Sequence, residues 1–202
     1  RHLVDAGCAL FADCCGGISH HSHRTIVNHA VTKLRKKRGI LTASFTNEAT
    51  IMTQAIADFE LPATGNQRFA SAAFRGHPYV LFFYPKDDTP GCTIEGQNFR
   101  DLHKEFLKAG TMVFGISRDT IGSHERFKAK MSFPYDLLSD TDETVCKLFG
   151  VMKEKNMYGK KVWGIERSTF IMARDGAIAK EWRGVKVDGH AAEVLAACKA
   201  LG

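Results

Sequence analysis

The chain has 202 residues, enough to bury one good core with room for an appendage. Its 44% hydrophobic and 25% charged content is that of an ordinary globular protein, and no apolar run approaches the roughly 20 residues needed to span a bilayer. The net charge of +6 is unevenly placed: residues 1–51 hold seven Lys or Arg against three acids, so +4 lies there and only +2 in the remainder. Basicity is thus a property of the first quarter and gives no reason to expect nucleic-acid binding by the rest.

In chain order, residues 1–51 read as foreign to the other three quarters of the chain. The chain does not begin with Met, and its first Met is Met52. We expect residues 1–51 to be a basic extension outside the core, and residues 52–202 to form the folded domain. An over-extended reading frame or an appended segment is the simplest account; a transit peptide is the rival. Cys14, Cys15, His20, His21 and His23 have no paired metal-site spacing, so chance composition outweighs a metal site. The run Lys33 to Arg38 reads as a solvated charge run.

Phe59 to Leu61 precedes Pro62 and Gly65 and predicts a short extended piece. Val80 to Tyr84 is five apolar or aromatic residues in a row, the signature of a fully buried strand. Turn formers come next: Pro85, Asp87, Asp88, Pro90 and Gly91. A helix then runs to Lys108. Asp88 or Thr89 can cap it, Pro90 suits its first turn, and Phe99, Leu102 and Phe106 give it an apolar face. Gly110 ends it.

Met112 to Ser117 predicts a second buried strand, Ser123 to Lys130 a helix capped by its serine, and Pro134 to Leu138 a short strand. Asp140 to Phe149 predicts a helix closed by Gly150. Residues 153–164 are rich in Lys and Gly without a period and read as a mobile loop. Ser168 to Ala173 and Ala177 to Arg183 flank the turn signal Asp175-Gly176 and predict an antiparallel pair. Gly189 introduces a last helix with Val194, Leu195, Cys198 and Leu201 on one face. Strands interleaved with helices, plus one hairpin, indicate an α/β fold with a mixed central sheet flanked by helices.

Cys92 is the residue with chemical consequence. It falls in the first turn of a helix, just beyond a buried strand. Unpaired N–H groups and the helix dipole favour an anion there, and the thiolate is the reactive form of cysteine. The dipole alone is a modest effect, so a nearby cation is expected. A buried, inert cysteine is the rival reading; polar turn residues on one side and a helix start on the other count against it. The six cysteines (Cys8, Cys14, Cys15, Cys92, Cys146 and Cys198) contain no C-x-x-C pair, which fits a reducing cytoplasm better than a disulfide-stapled secreted fold.

Pro85, Thr89 and Cys92 form the P-x-x-x-T-x-x-C pattern of peroxiredoxins. The wording from Tyr84 to Thr93, and that of Gly164-Ile165-Glu166-Arg167-Ser168-Thr169-Phe170, resembles the bacterioferritin-comigratory, or peroxiredoxin Q, branch. The resemblance runs from about Met52 to Gly202. It implies a thioredoxin-like fold, no cofactor, and reduction of hydrogen peroxide and alkyl hydroperoxides through a Cys92 sulfenic acid. A thioredoxin- or glutaredoxin-type thiol would then recycle the enzyme, as a monomer or weak homodimer.

Residue by residue, the resemblance gives Thr89 the position that hydrogen-bonds the peroxide. It makes Pro85 the shield of the thiolate, Arg167 the active-site arginine and Glu95 the acid that holds it. Each has a bland rival: a helix cap, a turn former, a surface ion pair worth under about 1 kcal/mol, and a complement to the dipole. Co-occurrence around one cysteine favours the functional set. Relatives carry a resolving cysteine five residues after the first, here Gln97, or in the next helix near Lys128. Neither is Cys. Cys146 is a minority candidate for that role, since it and Cys198 sit among apolar helix neighbours. The competing classes are a thioredoxin-like disulfide reductase, which the missing second Cys opposes, and a redox-sensing or chaperone module on the same scaffold.

Overall fold

A computed structural model of the chain describes residues 56–157 and 160–201. The expectations for residues 1–51, and for Met52 as a start, lie outside the described residues. Among the described residues, nine strands and four α-helices run in order: β1 (Glu60–Ala63), β2 (Gln67–Ala70), β3 (Tyr79–Phe83), α1 (Pro90–Lys108), β4 (Met112–Ser117), α2 (Ile121–Met131), β5 (Leu137–Ser139), α3 (Thr144–Leu148), β6 (Met152–Met157), β7 (Lys160–Ile165), β8 (Ser168–Met172), β9 (Ile178–Arg183) and α4 (His190–Leu201). Seven of these strands form one sheet in the order β2-β1-β5-β4-β3-β8-β9. Its three central strands, β5, β4 and β3, are parallel; β8 joins β3 antiparallel. The mixed sheet with flanking helices is the architecture expected.

Strand side chains alternate between the faces of a sheet, and here both faces are buried. Val80 and Phe82 point into a cluster with Phe99 and Phe106 of α1, Phe127 of α2, and Val194 and Cys198 of α4. Tyr79, Leu81 and Phe83 point into a second cluster with Phe69, Val145 and Cys146 of α3, and Phe149. The sheet therefore separates Cys92, which lies in the first cluster, from Cys146, which lies in the second.

Helix α1 is docked tightly along its first turns. Phe82 stacks on Phe99 with ring centroids 4.6 Å apart, and Tyr135 donates its hydroxyl to the Gly96 carbonyl at 2.7 Å. A Cβ at position 96 would lie 2.4 Å from Cζ of Phe133. That ring is wedged between Phe127 at 5.1 Å and Tyr135 at 5.2 Å, so it has little room to yield. Gly96→Ala gains about 1 kcal/mol of helix propensity but overpacks the contact by about 1–3 kcal/mol. We expect net destabilisation, read as a lower urea midpoint at unchanged slope.

Several boundaries differ from expectation. β2 was not expected; its partner β1 pairs with it along its whole length. Helix α2 begins at Ile121 after Thr120, not at Ser123, because the Ser123 hydroxyl is drawn away to Asp87 at 2.8 Å. Helix α3 is only five residues long. Asp140 does not open it; its carboxylate instead accepts the backbone N–H groups of Val145 and Cys146 at 3.3 and 2.7 Å. The described residues of the stretch 153–164, expected as a loop, belong to the paired strands β6 and β7, a separate two-stranded sheet. It carries no period-two signal because its faces are not divided into core and solvent: Val162 and Trp163 are adjacent and both exposed. Leu201, placed on the apolar face of α4, is also exposed.

Candidate active site

The loop from Tyr84 to Thr89 carries the chain from the end of β3 to the start of α1. Tyr84 still bonds to the sheet, its N–H donating to the Ile116 carbonyl at 3.0 Å. Asp88 adopts a left-handed backbone with φ of 55°, uncommon outside glycine but tolerated by aspartate. Thr89 occupies the N-cap position of α1, yet its hydroxyl does not cap; it donates to the Lys86 carbonyl at 3.0 Å. Pro85 is half-buried beside it.

Cys92 is the third residue of α1 and is only 2% exposed. Nη2 of Arg167, from the turn between β7 and β8, donates to its sulfur at 3.2 Å. The other arm of the guanidinium, Nη1, donates to Oε2 of Glu95, one turn along α1. One planar fork thus spans the sulfur and the carboxylate, which a lysine ammonium does not match. The Arg167 side chain is 15% exposed, so this is no surface ion pair. The cation expected beside the thiol is present, and the structure brings together Cys92, Arg167 and Glu95. Thr89 is the N-cap residue of α1, three positions before Cys92, and Pro85 lies in the loop that leads to it.

Glu95 is buried, and its Oε1 has no hydrogen-bond partner among the described residues. Burial pushes its carboxyl up to about 7, with Arg167 pulling the other way. Burial also opposes the charge on Arg167, but Glu95 and the Cys92 sulfur outweigh it and hold the guanidinium protonated. The carboxyl is therefore the member of the pair that titrates. A raised folded-state value means the native protein binds a proton that the unfolded chain has lost. The stabilisation is complete below pH 4.5, the ordinary carboxyl value, and disappears as pH rises through about 7. Glu95→Gln should lack this decline, measured by denaturant unfolding of both proteins across that window. Equal pH profiles would contradict it.

The other described cysteines lie apart from this site. Cys146 is fully buried on the opposite face of the sheet, and burial together with Asp140 pushes its thiol far up. Cys198 is in the same cluster as Cys92, but it lines an apolar cavity of about 330 Å³ beside Pro78 and Thr111, at the start of β3. Cys92 lies beyond the end of that strand, roughly 20 Å away at strand rise. Burial pushes the Cys198 thiol up to about 11. Gln97 and Lys128 face Met131 and Asp136 respectively.

Sequence reasoning missed the groups beneath the loop. The Asp87 carboxylate, almost fully buried, accepts hydrogen bonds from Tyr84, Ser123 and His124. Their separations of up to 37 residues leave no local pattern to find.

A cysteine at the mouth of a helix, gripped by a guanidinium on a thioredoxin-like sheet, defines a thiol-reactive redox protein as its class. The family described as AhpC/TSA matches residues 52–181. Peroxiredoxin Bcp of Xanthomonas campestris is 51% identical over 156 residues, covering 74% of this chain and 98% of that protein. Peroxiredoxin Bcp of Bacillus subtilis is 41% identical over 146 residues, 72% of this chain and 93% of that one. A solved structure of Xanthomonas campestris peroxiredoxin Q superposes with a TM-score of 0.68 at 52% identity, covering 70% of this chain and 90% of that chain. The bacterioferritin comigratory protein of the same organism, at 51% identity, has trapped intermediate and ligand complexes that bear on its alkyl peroxide reduction activity. The chain belongs to the AhpC/TSA family, in its Bcp or peroxiredoxin Q branch.

Proposed function

We propose that Cys92 alone carries the chemistry of this thiol-dependent peroxidase, as a one-cysteine enzyme acting on hydrogen peroxide and alkyl hydroperoxides. The observation that carries the reading is the Arg167 donor 3.2 Å from the Cys92 sulfur, with Glu95 fixing the other arm. The thiolate attacks one peroxide oxygen. An S–O bond forms, the O–O bond breaks, and the departing alkoxide or hydroxide takes a proton as water or alcohol leaves. Cys92 is left as sulfenic acid, the first rung of its oxidation ladder. Arg167 stabilises both the thiolate and the charge that develops across the breaking bond. Thr89 orients the peroxide, Pro85 keeps water from the sulfur, and Glu95 holds the guanidinium.

A thioredoxin- or glutaredoxin-type thiol then attacks the sulfenic acid. It expels water to form a mixed disulfide, and a second thiol resolves it. We place the enzyme in the cytoplasm, as a monomer or weak homodimer. No helix among the described residues is long and apolar enough to cross a membrane. The test is the intact mass after one equivalent of peroxide. We expect one added oxygen on Cys92, lost on adding an external thiol. An internal disulfide instead would overturn the one-cysteine reading, and no change at all would remove Cys92 from the reaction.

We also propose that residues 1–51 stand outside the catalytic domain. The family match begins at residue 52, and the Xanthomonas relative is spanned almost entirely by 74% of this chain. A chain beginning at Met52 should unfold cooperatively and keep its peroxidase rate within about twofold, a difference of under about 1 kcal/mol. Loss of cooperative unfolding would place the extension in the core.

A further inference from the structure

The turn that carries Pro85 and Thr89 is held from outside as well as by its own Thr89–Lys86 hydrogen bond. Its centre, Asp87, is buried in the body of the protein, its side chain 4% exposed. Tyr84 donates to Oδ1 at 2.8 Å and Ser123 to Oδ2 at 2.8 Å. Nδ1 of His124 lies 3.0 Å from Oδ1 and 2.9 Å from Oδ2. The Asp87 backbone N–H donates to Oδ2 of Asp119 at 2.8 Å, and the same oxygen accepts the Ser117 hydroxyl at 2.7 Å. Burial opposes the charge on Asp87, but the donors from His124, Ser123 and Tyr84 outweigh it and hold its carboxyl below the ordinary value.

His124 is the centre of this arrangement. It is fully buried on α2, and its second nitrogen, Nε2, lies 3.2 Å from the Leu138 carbonyl of β5. One ring nitrogen lies within hydrogen-bond distance of the Asp87 carboxylate and the other within that distance of the Leu138 carbonyl, so the ring bridges the loop and the sheet. A charged hydrogen bond between buried partners is stronger than a neutral one, and an unmade one leaves a carboxylate stranded without water. The next residue in the loop, Asp88, is also tied to α2, by Lys130 at 2.7 Å on the surface. That exposed pair is worth little. The buried contact decides where the loop sits.

We propose that His124 is a positioning residue for the peroxide reaction: it grips Asp87, and through Asp87 it holds the turn bearing Pro85 and Thr89 at the mouth of α1. His124 touches neither Cys92 nor Arg167 in the hydrogen-bond network, so its loss should spare the sulfur and displace the groups that orient the peroxide. Orientation errors of an ångström are costly to rate even when the reacting groups remain.

The test uses two electrophiles on the same sulfur. Peroxide needs the oriented turn; iodoacetamide needs the sulfur alone. His124→Gln puts its amide where Nε2 was, keeping the Leu138 contact and dropping Asp87. His124→Asn puts its amide where Nδ1 was, keeping Asp87 and dropping Leu138. We expect His124→Gln to slow the reaction with hydrogen peroxide at least about tenfold while alkylation of Cys92 changes less than about twofold. His124→Asn should recover most of the peroxide rate. A wild-type peroxide rate in folded His124→Gln, or an equal fall in both rates, overturns the proposal. Should His124→Gln not fold, Ser123→Ala removes one donor from the same carboxylate at a half-buried position. It should lower the peroxide rate more than the alkylation rate; equal effects overturn the proposal.

Discussion

Arg167→Lys should fold, yet react with peroxide at least about tenfold more slowly, a loss of about 1.4 kcal/mol of transition-state stabilisation. The charge is kept. What is lost is the planar fork that reaches the Cys92 sulfur at 3.2 Å with one arm and Glu95 with the other. A single ammonium satisfies one of these partners and leaves the other. Removing a partner from a buried charge is usually costly to stability. Here the cost is softened, because burial has already pushed the Glu95 carboxyl up to about 7, and it can take a proton instead of standing as an unpaired anion. The expected signature is therefore a large change in rate beside a small change in unfolding midpoint. Competition kinetics against a reference peroxidase measures the first and urea titration the second. An unchanged rate would remove Arg167 from the site, and loss of the fold would recast it as structural.

The central sheet and the mouth of α1 were legible because their signals are local. Val80 to Tyr84 is apolar at every position, which a strand buried on both faces requires. Cys92 comes after a proline and a glycine at a helix start, and Gly110, with φ of 67°, closes that helix where the sequence put its end. Arg167 was placed by resemblance to a family motif, since 75 residues separate it from Cys92 and no period spans that gap. The paired strands β6 and β7 were missed because strand reading depends on one face being buried, and this pair stands clear of the main sheet. The ends of α2 and α3 were misplaced for a different reason. Ser123 looks like a cap in sequence but spends its side chain on Asp87, a partner brought by the tertiary fold, whereas Asp140 reaches the first-turn N–H groups of α3 from four residues before that helix starts. The Asp87–His124 contact has the same character: two polar residues 37 positions apart, buried only because the sheet and α2 meet there.

Cys92→Ser should abolish turnover, whereas Cys146→Ala and Cys198→Ala should retain it with a small-thiol reductant. A disulfide needs Cα atoms within roughly 7 Å. Cys146 lies across the sheet from Cys92, behind Phe83 and Phe170, and reaching it would require the core of one face to open. Cys198 is on the same face but at the opposite end of β3, beside Pro78. Both thiols are buried and held protonated at neutral pH, so neither presents the thiolate that attack on a sulfenic acid needs. Nothing among the described residues therefore traps the oxidised Cys92 quickly. In excess peroxide the sulfenic acid should climb to sulfinic acid, a step that small thiols do not reverse. Inactivation should accordingly grow with peroxide concentration and fall as external thiol is raised, since the two compete for one intermediate. Alanine at position 146 removes a small buried side chain and should cost stability, so its turnover is to be compared well below its unfolding midpoint. A Cys92–Cys146 disulfide in a peptide map, with turnover lost in Cys146→Ala, would establish a two-cysteine cycle and require the sheet to part during each turnover.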